Sequence, residues 1–194
     1  KIAEIVDNFH KNKKVHGDLK PNNILLTKDG PILIDDLNLN LGEISHGWTP
    51  NWSAPEQVLQ EPITYAADIY PLGLMVVGLI SGRLSGEVKK FKIPTVHDSE
   101  KEHNVFYNPS VSIQNSGIIK HGSTEWISFA QSCLQFDNTK RPQSAKSFIQ
   151  QLESLLKSHP LNGDLKVKLD KGQLVVATLL DGSKKVARLI SDHE

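Results

Sequence analysis

Four polar residues lie close together near the start of the chain and could act together on a phosphate group. Asp18, Lys20 and Asn23 fall in one short segment, and Asp36 follows an apolar stretch. Carboxylate and amide oxygens suit Mg²⁺, which usually keeps phosphate and water as its other ligands. Asp18 is a candidate base, and Lys20 offers a point positive charge to a phosphoryl oxygen. Each residue alone is more often a turn former or a solvated charge, so only the set carries a prediction.

A β-hairpin is predicted to bring two of these residues together. Two apolar runs, NILLT and PILID, are separated by Lys28-Asp29-Gly30, which is typical of a tight turn. In the register that we expect across this turn, Asn23 lies opposite Asp36, and the Cβ atoms of paired residues are about 5 Å apart. We therefore expect both side chains to share one cation at the open end of the hairpin, with Asp18 facing the same place.

Helical patterns on both sides of the hairpin are predicted to supply the core. The first helix has one apolar stripe, formed by Ile2, Ile5, Val6 and Phe9. Further helices are predicted over residues 65–79, over 124–134 with Thr124 as the N-cap, and over 144–157. The inner face of the last helix is expected to comprise Phe148, Leu152 and Leu155 or Leu156.

Three segments lack a helical pattern. Residues 39–53 are predicted to form a loop, and residues 89–122 a long polar surface excursion. Residues 158–194 have turn signals between alternating apolar residues, which is typical of a three-stranded β-meander. Because so short a meander buries little surface, we expect it to pack on the preceding helices or to belong to an incomplete following domain.

Composition excludes several classes of protein. The chain has 194 residues, and its 22 Lys plus Arg balance 22 Asp plus Glu, which removes the charge that nonspecific nucleic-acid binding requires. A single cysteine, Cys133, cannot form an internal disulfide, which favours a reduced, cytoplasmic protein. The longest apolar run, Pro71–Gly82, is shorter than the roughly 20 residues of a membrane span, so a buried helix is expected there. The start has no apolar signal-peptide region.

Five motifs follow one another at compatible spacing. They are HGDLKPNN at 16–23, the triplet Asp36-Leu37-Asn38, the segment Gly47–Glu56 ending in Ala-Pro-Glu, the group Asp68-Ile69-Tyr70 with Gly73, and Cys133-Leu134 with Asp137, Arg141 and Pro142. In this order they resemble the catalytic loop, the DFG motif, the end of the activation segment, the central helix and the late arginine motif of eukaryotic-type serine/threonine protein kinases. The resemblance covers about residues 1–156.

The resemblance implies a fold and a reaction. The fold would be mainly α within the α+β class, a kinase-like C-lobe over residues 1–157 with a catalytic-loop hairpin, followed by a β-rich tail over 158–194. ATP and Mg²⁺ would be the cofactors, and a protein Ser or Thr hydroxyl the acceptor.

Site roles are implied by the same resemblance. Asp18 would be the base toward the acceptor hydroxyl, and Lys20 would contact the γ-phosphate. Asn23 and Asp36 would hold Mg²⁺, and Thr49 would bond Asp18 and Lys20.

Six further residues would have supporting roles. His16 and Leu37 would belong to an internal apolar spine, Leu25 would form the floor under the adenine, and Asp68 would tether the catalytic-loop backbone. Glu56 and Arg141 would form a buried ion pair that anchors the activation segment.

The sequence departs from the family pattern at two places. Gly17 stands where many members have an arginine that neutralises a phosphorylated activation segment, so we predict activity that does not depend on phosphorylation of Ser45 or Thr49. Asn38 replaces the glycine of DFG, but Asn tolerates positive φ better than most residues, so the backbone is expected to turn there.

Part of the family pattern is missing from the sequence. No glycine-rich phosphate loop, strand-borne lysine or partner glutamate precedes the catalytic loop. We therefore expect a fragment of a longer kinase that does not transfer phosphate by itself. Two alternatives remain open, a small-molecule phosphotransferase of the aminoglycoside or choline kinase type, which Gly17 slightly favours, and a pseudokinase scaffold, which Asn38 favours.

Overall fold

The computed structural model describes residues 1–27, 30–34, 37–49, 52–81, 123–161, 174–178 and 184–188. Along this part of the chain, one helix is followed by four short strands, then by four helices and a final antiparallel pair of strands. The helices are α1 (Ile2–Lys11), α2 (Pro55–Val58), α3 (Ala66–Ser81), α4 (Thr124–Cys133) and α5 (Ala145–Ser158), with 3₁₀ turns at Pro21–Asn23 and Asn138–Lys140. The strands are β1 (Lys14–Val15), β2 (Ile24–Thr27), β3 (Gly30–Leu33), β4 (Leu39–Asn40), β5 (Leu174–Thr178) and β6 (Lys184–Arg188).

Helix α3 is the centre of the hydrophobic core. Its buried residues lie on all sides of the helix and include Ile69, Leu72 and Ile80, which is typical of a helix enclosed by others. Helix α4 packs closely on it, because a Cβ added at Gly73 would come within 2.5 Å of Cβ of Cys133. Helix α1 packs against α5. Helices α1, α3, α4 and α5 therefore form one packed group.

The predicted helices are confirmed, with small shifts at their ends. The stripe of α1 buries Val6 completely and extends to His10, one turn further on. Helix α5 begins after Ser144, whose hydroxyl accepts from the backbone N–H of Ser147. Thr124 is not the N-cap of α4. The N–H of Ile127 donates to the carbonyl of Ser123, which makes Ser123 the capping residue.

The register of the catalytic hairpin corrects one prediction. Strands β2 and β3 pair Ile24 with Leu33 and close at Thr27 opposite Gly30. The predicted register paired Asn23 with Asp36, so the observed pairing is shifted from it by two positions. As a result the carbonyl of Asn23 accepts from the N–H of Ile34, and Asn23 does not lie opposite Asp36 in the ladder. Asp36 lies outside the described residues.

The segment predicted as a loop over residues 39–53 contains a short strand. Strand β4 pairs with β1, with Val15 opposite Leu39, and further along, Ile44 bridges to Pro62. The first pairing fixes the start of the segment against the chain that leads into the catalytic loop, and the second joins the segment to the chain after α2. The predicted excursion over 89–122 lies outside the described residues.

Two strands of the predicted C-terminal meander are described. Strands β5 and β6 are antiparallel, with Val176 opposite Val186 at the centre. Cα atoms of both strands approach those of β2 to within 8 Å. The C-terminal hairpin therefore lies beside strand β2. Whether it packs on the preceding helices or belongs to a following domain, the two arrangements expected from the sequence, stays a prediction.

Candidate active site

The catalytic loop begins at two backbone amides that a buried carboxylate holds. The N–H groups of His16 and Gly17 donate to Oδ2 and Oδ1 of Asp68, each at 2.9 Å. Asp68 is fully buried near the start of α3. This confirms the expected tether between the catalytic loop and helix α3, which holds the residues directly before Asp18 in place.

Histidine 16 points into the core, as expected. Its side chain is buried and makes an edge-on contact with Phe9, and its Nε2 lies 2.6 Å from the carbonyl oxygen of Ile34 at the end of the hairpin. The residue thus joins α1, the loop and β3.

Asp18 is the centre of a compact polar cluster. The ammonium of Lys20 lies 2.6 Å from its Oδ2, and the amide of Asn23 donates to the same oxygen at 2.9 Å. The hydroxyl of Thr49 donates to its Oδ1 at 2.6 Å, and Lys20 also donates to that hydroxyl oxygen at 3.0 Å. The expected bonds from Thr49 are therefore confirmed. A base, a cation and two neutral polar groups meet at one point.

The surroundings of Asp18 favour its charged form. Partial burial alone would raise its pKa, but the hydrogen bonds from Lys20, Thr49 and Asn23 outweigh that effect and hold the pKa below its ordinary value. At neutral pH Asp18 is a carboxylate and can accept a hydrogen bond from an incoming hydroxyl group.

Thr49 is held in place by its own segment. Its N–H donates to Oγ of the buried Ser53 at 2.8 Å, and its carbonyl accepts from the N–H groups of Trp52 and Ser53. These local bonds aim the hydroxyl at Asp18.

A glutamine that sequence reasoning did not single out ties α2 to the catalytic loop. The amide of the buried Gln57 donates to the carbonyl of Gly17 at 2.6 Å, and its Oε1 accepts from the N–H of Ala54. The only sequence signal is half of a capping box, because Gln57 is three residues after the N-cap and can reach its backbone N–H, whereas Ala54 has no side-chain acceptor for the other half.

The predicted ion pair between Glu56 and Arg141 is confirmed. The guanidinium donates to both carboxylate oxygens at 2.8 Å, and both side chains are buried. Its other three N–H groups donate to the carbonyls of Gln135, Phe136 and Ala66. All five donors are therefore satisfied, which a buried charge requires.

His10 is a second residue that sequence reasoning missed. Its Nε2 lies 3.1 Å from Oδ2 of Asp68, and its Nδ1 accepts from the N–H of Ala145. Its ring stacks on Tyr65. Because Nδ1 is an acceptor, the neutral ring donates through Nε2 to the carboxylate. His10 thus connects the start of α5 to the tether of the catalytic loop, and its position one turn after Val6 on the buried face was the available signal.

The residues that could hold Mg²⁺ are only partly described. The buried amide of Asn23 makes its hydrogen bonds through Nδ2, to the carbonyl and carboxylate of Asp18. Its Oδ1 accepts no hydrogen bond from a described residue, so an oxygen ligand is available there, in keeping with the preference of Mg²⁺. Among the described residues, no group of three or more His, Cys, Asp or Glu side chains could hold a metal. Asp36, the second expected ligand, lies outside them.

Two leucines with expected roles, Leu25 and Leu37, are more exposed to solvent than core residues. Leu25 on β2 is 41% exposed, which suits a residue that would contact a ligand rather than the interior. Leu37 is also exposed, and a Cβ built at Gly17 would lie 3.6 Å from its Cδ1. Its expected place in an internal apolar spine stays a prediction.

The two departures from the family pattern have clear backbone consequences. Gly17 has φ +77°, and a Cβ there would lie 2.8 Å from Cδ1 of Leu39. Asn38 has φ +44°, so the expected turn at this residue is confirmed.

Ser45, a possible phosphorylation site of this segment, is buried, and its hydroxyl donates to the carbonyl of Gly47.

Comparison with known proteins identifies the family. The family profile described as Protein kinase domain matches residues 1–152. The chain therefore belongs to the protein kinase domain family, as the five motifs indicated.

Individual relatives are serine/threonine kinases at low identity. The chain is 31% identical over 147 residues, 71% of its length, to the serine/threonine-protein kinase fray2 of Dictyostelium discoideum, and 26% identical over 96% of its length to human rhodopsin kinase GRK1. It is 28% identical over 74% of its length to the serine/threonine-protein kinase AfsK of Streptomyces coelicolor. The matches span 13%, 32% and 17% of these three proteins.

A solved structure supports the fold. The kinase PK-1 of Cydia pomonella granulovirus matches 77% of this chain and 54% of its own chain, with a TM-score of 0.55 and 20% identity.

The helices described in this chain include none with both the length and the apolar character of a bilayer span.

Proposed function

We propose that the chain is the C-lobe portion of a serine/threonine protein kinase that transfers the γ-phosphate of ATP to a protein hydroxyl. The observation that carries this proposal is the cluster around Asp18. Lys20 and Thr49 approach its two carboxylate oxygens from different segments of the chain, both at 2.6 Å. An acceptor hydroxyl that reached this carboxylate would also lie beside the ammonium of Lys20.

Each residue of the cluster has a proposed task. Asp18 orients the acceptor hydroxyl and accepts its proton as the phosphoryl group is transferred. Lys20 stabilises negative charge on the transferred group, and Thr49 keeps the carboxylate in one orientation. Positioning and charge neutralisation, without a covalent intermediate, would account for most of the rate.

Mg²⁺ and ATP belong to the proposal. Asn23 and Asp36 would hold the metal, which neutralises phosphate charge when bound. Leu25 would lie under the adenine. The buried Asn23 is already fixed by two hydrogen bonds to Asp18, so the metal and the base would keep a constant separation.

The isolated chain is proposed to be inactive in phosphoryl transfer. The phosphate loop and the lysine of the upper lobe have no counterpart before Asp18 in this sequence, and the chain spans at most about a third of the three relatives named above. We also propose a cytoplasmic location, because a single cysteine fits a reducing compartment.

A phosphotransfer assay tests the function. The chain, and the same chain fused behind an upper lobe taken from a related kinase, are incubated with Mg²⁺ and radiolabelled ATP. Protein substrates and small alcohols or aminoglycosides are offered in parallel. Asp18→Asn in the fusion is the matched control, because it keeps the size of the side chain and removes the base.

The outcomes separate the alternatives. Label on protein that Asp18→Asn abolishes supports the proposal, and label only on a small molecule supports a small-molecule phosphotransferase. Absence of transfer by a folded fusion that still binds ATP favours a scaffold. Transfer by the isolated chain would overturn the proposed inactivity.

A further inference from the structure

The peptide group that joins Gly17 to Asp18 is held on both of its polar sides. Its carbonyl, on the buried Gly17, accepts from Nε2 of Gln57 at 2.6 Å, and its N–H donates to Nδ1 of His16 at 3.2 Å. Because a peptide group is planar, bonds on both sides restrict its rotation. The backbone that carries the side chain of Asp18 is thereby confined to one conformation.

Gly17 needs such restraint more than another residue would. Its φ of +77° lies in the left-handed region, and glycine has more backbone freedom to lose than any other residue. Two helices restrict it, because its N–H donates to Oδ1 of Asp68 on α3 and its carbonyl accepts from Gln57 on α2. No other described residue donates to that carbonyl. Without Gln57 a buried carbonyl would lose its partner.

The side-chain amide of Gln57 is itself fixed. It is buried, and its Oε1 accepts from the N–H of Ala54 at 3.0 Å. With Oε1 bound there, Nε2 is directed at Gly17. The end of the activation segment therefore contacts the catalytic loop twice, through Thr49 at the carboxylate of Asp18 and through Gln57 at the carbonyl of Gly17.

We propose that Gln57 is a positioning residue for the proposed base, and that its amide aligns the backbone of Asp18 so that the carboxylate meets its three hydrogen-bond donors. The alignment can be measured without any reaction, whereas its effect on phosphoryl transfer rests on the proposed function. The bond joins neutral groups. The end of the activation segment is therefore connected to the catalytic loop without a phosphate, and without an arginine directly before Asp18.

The pKa of Asp18 in the whole chain tests the alignment. Burial raises this pKa, and the hydrogen bonds to the carboxylate lower it by more. Gln57→Met removes the amide and keeps the length of the side chain. Misalignment weakens the bonds to the carboxylate, so we expect a higher Asp18 pKa than in wild type, measured by NMR titration of the carboxyl carbon. Gln57→Asn, one methylene too short to reach both Ala54 and Gly17, should change the pKa in the same direction.

Two controls separate alignment from general loosening of the fold. Gln143→Met removes an exposed amide that donates to the carbonyl of Arg141, also at 2.6 Å. Leu155→Ala opens a cavity at a buried position of α5 and should lower the melting temperature. Both should leave the Asp18 pKa as it is in wild type.

Three outcomes overturn the alignment. They are an equal Asp18 pKa in wild type and Gln57→Met, an equal rise in Leu155→Ala, and failure of both Gln57 variants to fold. In the last case Gln57 would serve the whole fold instead of the base.

Turnover tests the consequence for the reaction. In the fusion with an upper lobe, Gln57→Met should lower kcat by roughly tenfold to a hundredfold, because a small displacement of a reacting group costs rate of this order. The KM for ATP should stay near its wild-type value, since the bonds of Gln57 go to Gly17 and Ala54 and not to the expected ATP ligands. A raised Asp18 pKa with unchanged kcat overturns the role in the reaction. A wild-type fusion that transfers no phosphate contradicts the proposed function, and the pKa comparison still decides the alignment.

Discussion

The hydroxyl of Thr49 donates to Oδ1 of Asp18 at 2.6 Å, although 31 residues separate the two along the chain. This bond joins the segment that ends in Ala-Pro-Glu to the loop that carries the proposed base. The same carboxylate is also held by Lys20 and Asn23. The carboxylate of Asp18 therefore links the two segments through direct hydrogen bonds.

Removing the Thr49 hydroxyl is expected to raise the pKa of Asp18. The pKa is held below its ordinary value although burial opposes this, and Thr49 is one of the three hydrogen-bond donors responsible. Thr49→Val keeps the shape and removes the donor, whereas Thr49→Ser keeps the donor. We expect a higher Asp18 pKa in Thr49→Val alone, measured by NMR titration of the carboxyl carbon.

The pH dependence of stability follows from the sign of this shift. A carboxyl with a lowered pKa in the folded state contributes stability above its unfolded pKa, near 4, and this stability is lost as pH falls through the folded pKa. Unfolding by urea between pH 2 and 6 should therefore show a smaller loss on acidification for Thr49→Val than for Thr49→Ser. If the unfolding free energy fell equally with pH in Thr49→Val and Thr49→Ser, the proposed role of the hydroxyl would be contradicted.

Truncating Arg141 is expected to cost about 3–5 kcal/mol of unfolding free energy, because Glu56 would become a buried charge without a partner. Arg141→Lys should also destabilise strongly, since an ammonium cannot reproduce the five bonds of the guanidinium. Chemical denaturation provides the measurement.

The neighbouring Lys140 offers the matched control. Its pair with Asp137 lies at the surface, and exposed pairs contribute little. Lys140→Ala should therefore unfold at nearly the wild-type denaturant concentration. A similar loss in Lys140→Ala and Arg141→Ala would show that the region, and not the buried pair, is responsible.

Contacts tied to local patterns were predictable from the sequence. The stripe on α1 and the apolar run of α3 each indicate a helix, because burial of one face leaves a helical periodicity and burial of all faces leaves a continuous apolar run too long for a strand. The pairing of Glu56 with Arg141 and the bonds of Thr49 were predictable only through the resemblance to a family. Nothing in the spacing of these residues indicates contact across 85 or 31 positions.

The errors have physical causes. The hairpin closes with Thr27 opposite Gly30, which shifts the register by two positions from the expected pairing of Asn23 with Asp36, because the turn that closes a hairpin fixes its register. Strand β4 has two residues, too few to show an alternating pattern. His10 was missed because its position on the buried face of α1 indicates burial but does not identify its partner Asp68.

Substituting Gly17 is expected to destabilise the catalytic loop. Any side chain there must adopt φ +77° and approach Leu39, and positive φ costs a non-glycine residue about 1–2 kcal/mol. Gly17→Ala should lower the unfolding free energy by at least that amount. Gly47→Ala is the control, because a Cβ at Gly47 meets nothing within 4 Å. A neutral Gly17→Ala would mean that the loop relaxes to another backbone conformation.

A negative charge at Ser45 is expected to disrupt the activation segment instead of ordering it. Ser45 is buried and bonded to the carbonyl of Gly47, and Gly17 supplies no cation for a phosphate. Ser45→Glu should lower the melting temperature by several degrees, while Ser45→Ala should change it little. His46→Glu, at an exposed neighbour, is the control for charge alone. A stabilising Ser45→Glu would contradict this prediction, as would loss of turnover by Ser45→Ala in an active fusion.

Cys133 is expected to be chemically inert while the protein is folded. Burial raises the pKa of its thiol to about 12, and the reactive species is the thiolate. Its side chain also packs where α4 meets Gly73, so a reagent reaches it only after the helices separate.

With an aromatic disulfide reagent at pH 8, wild type should label at the rate of unfolding, and urea should accelerate the labelling. Leu156→Cys adds a thiol on the exposed side of α5 and should give one fast and one slow thiol in the same molecule. Fast labelling of wild type at native pH would show that α3 and α4 separate without global unfolding.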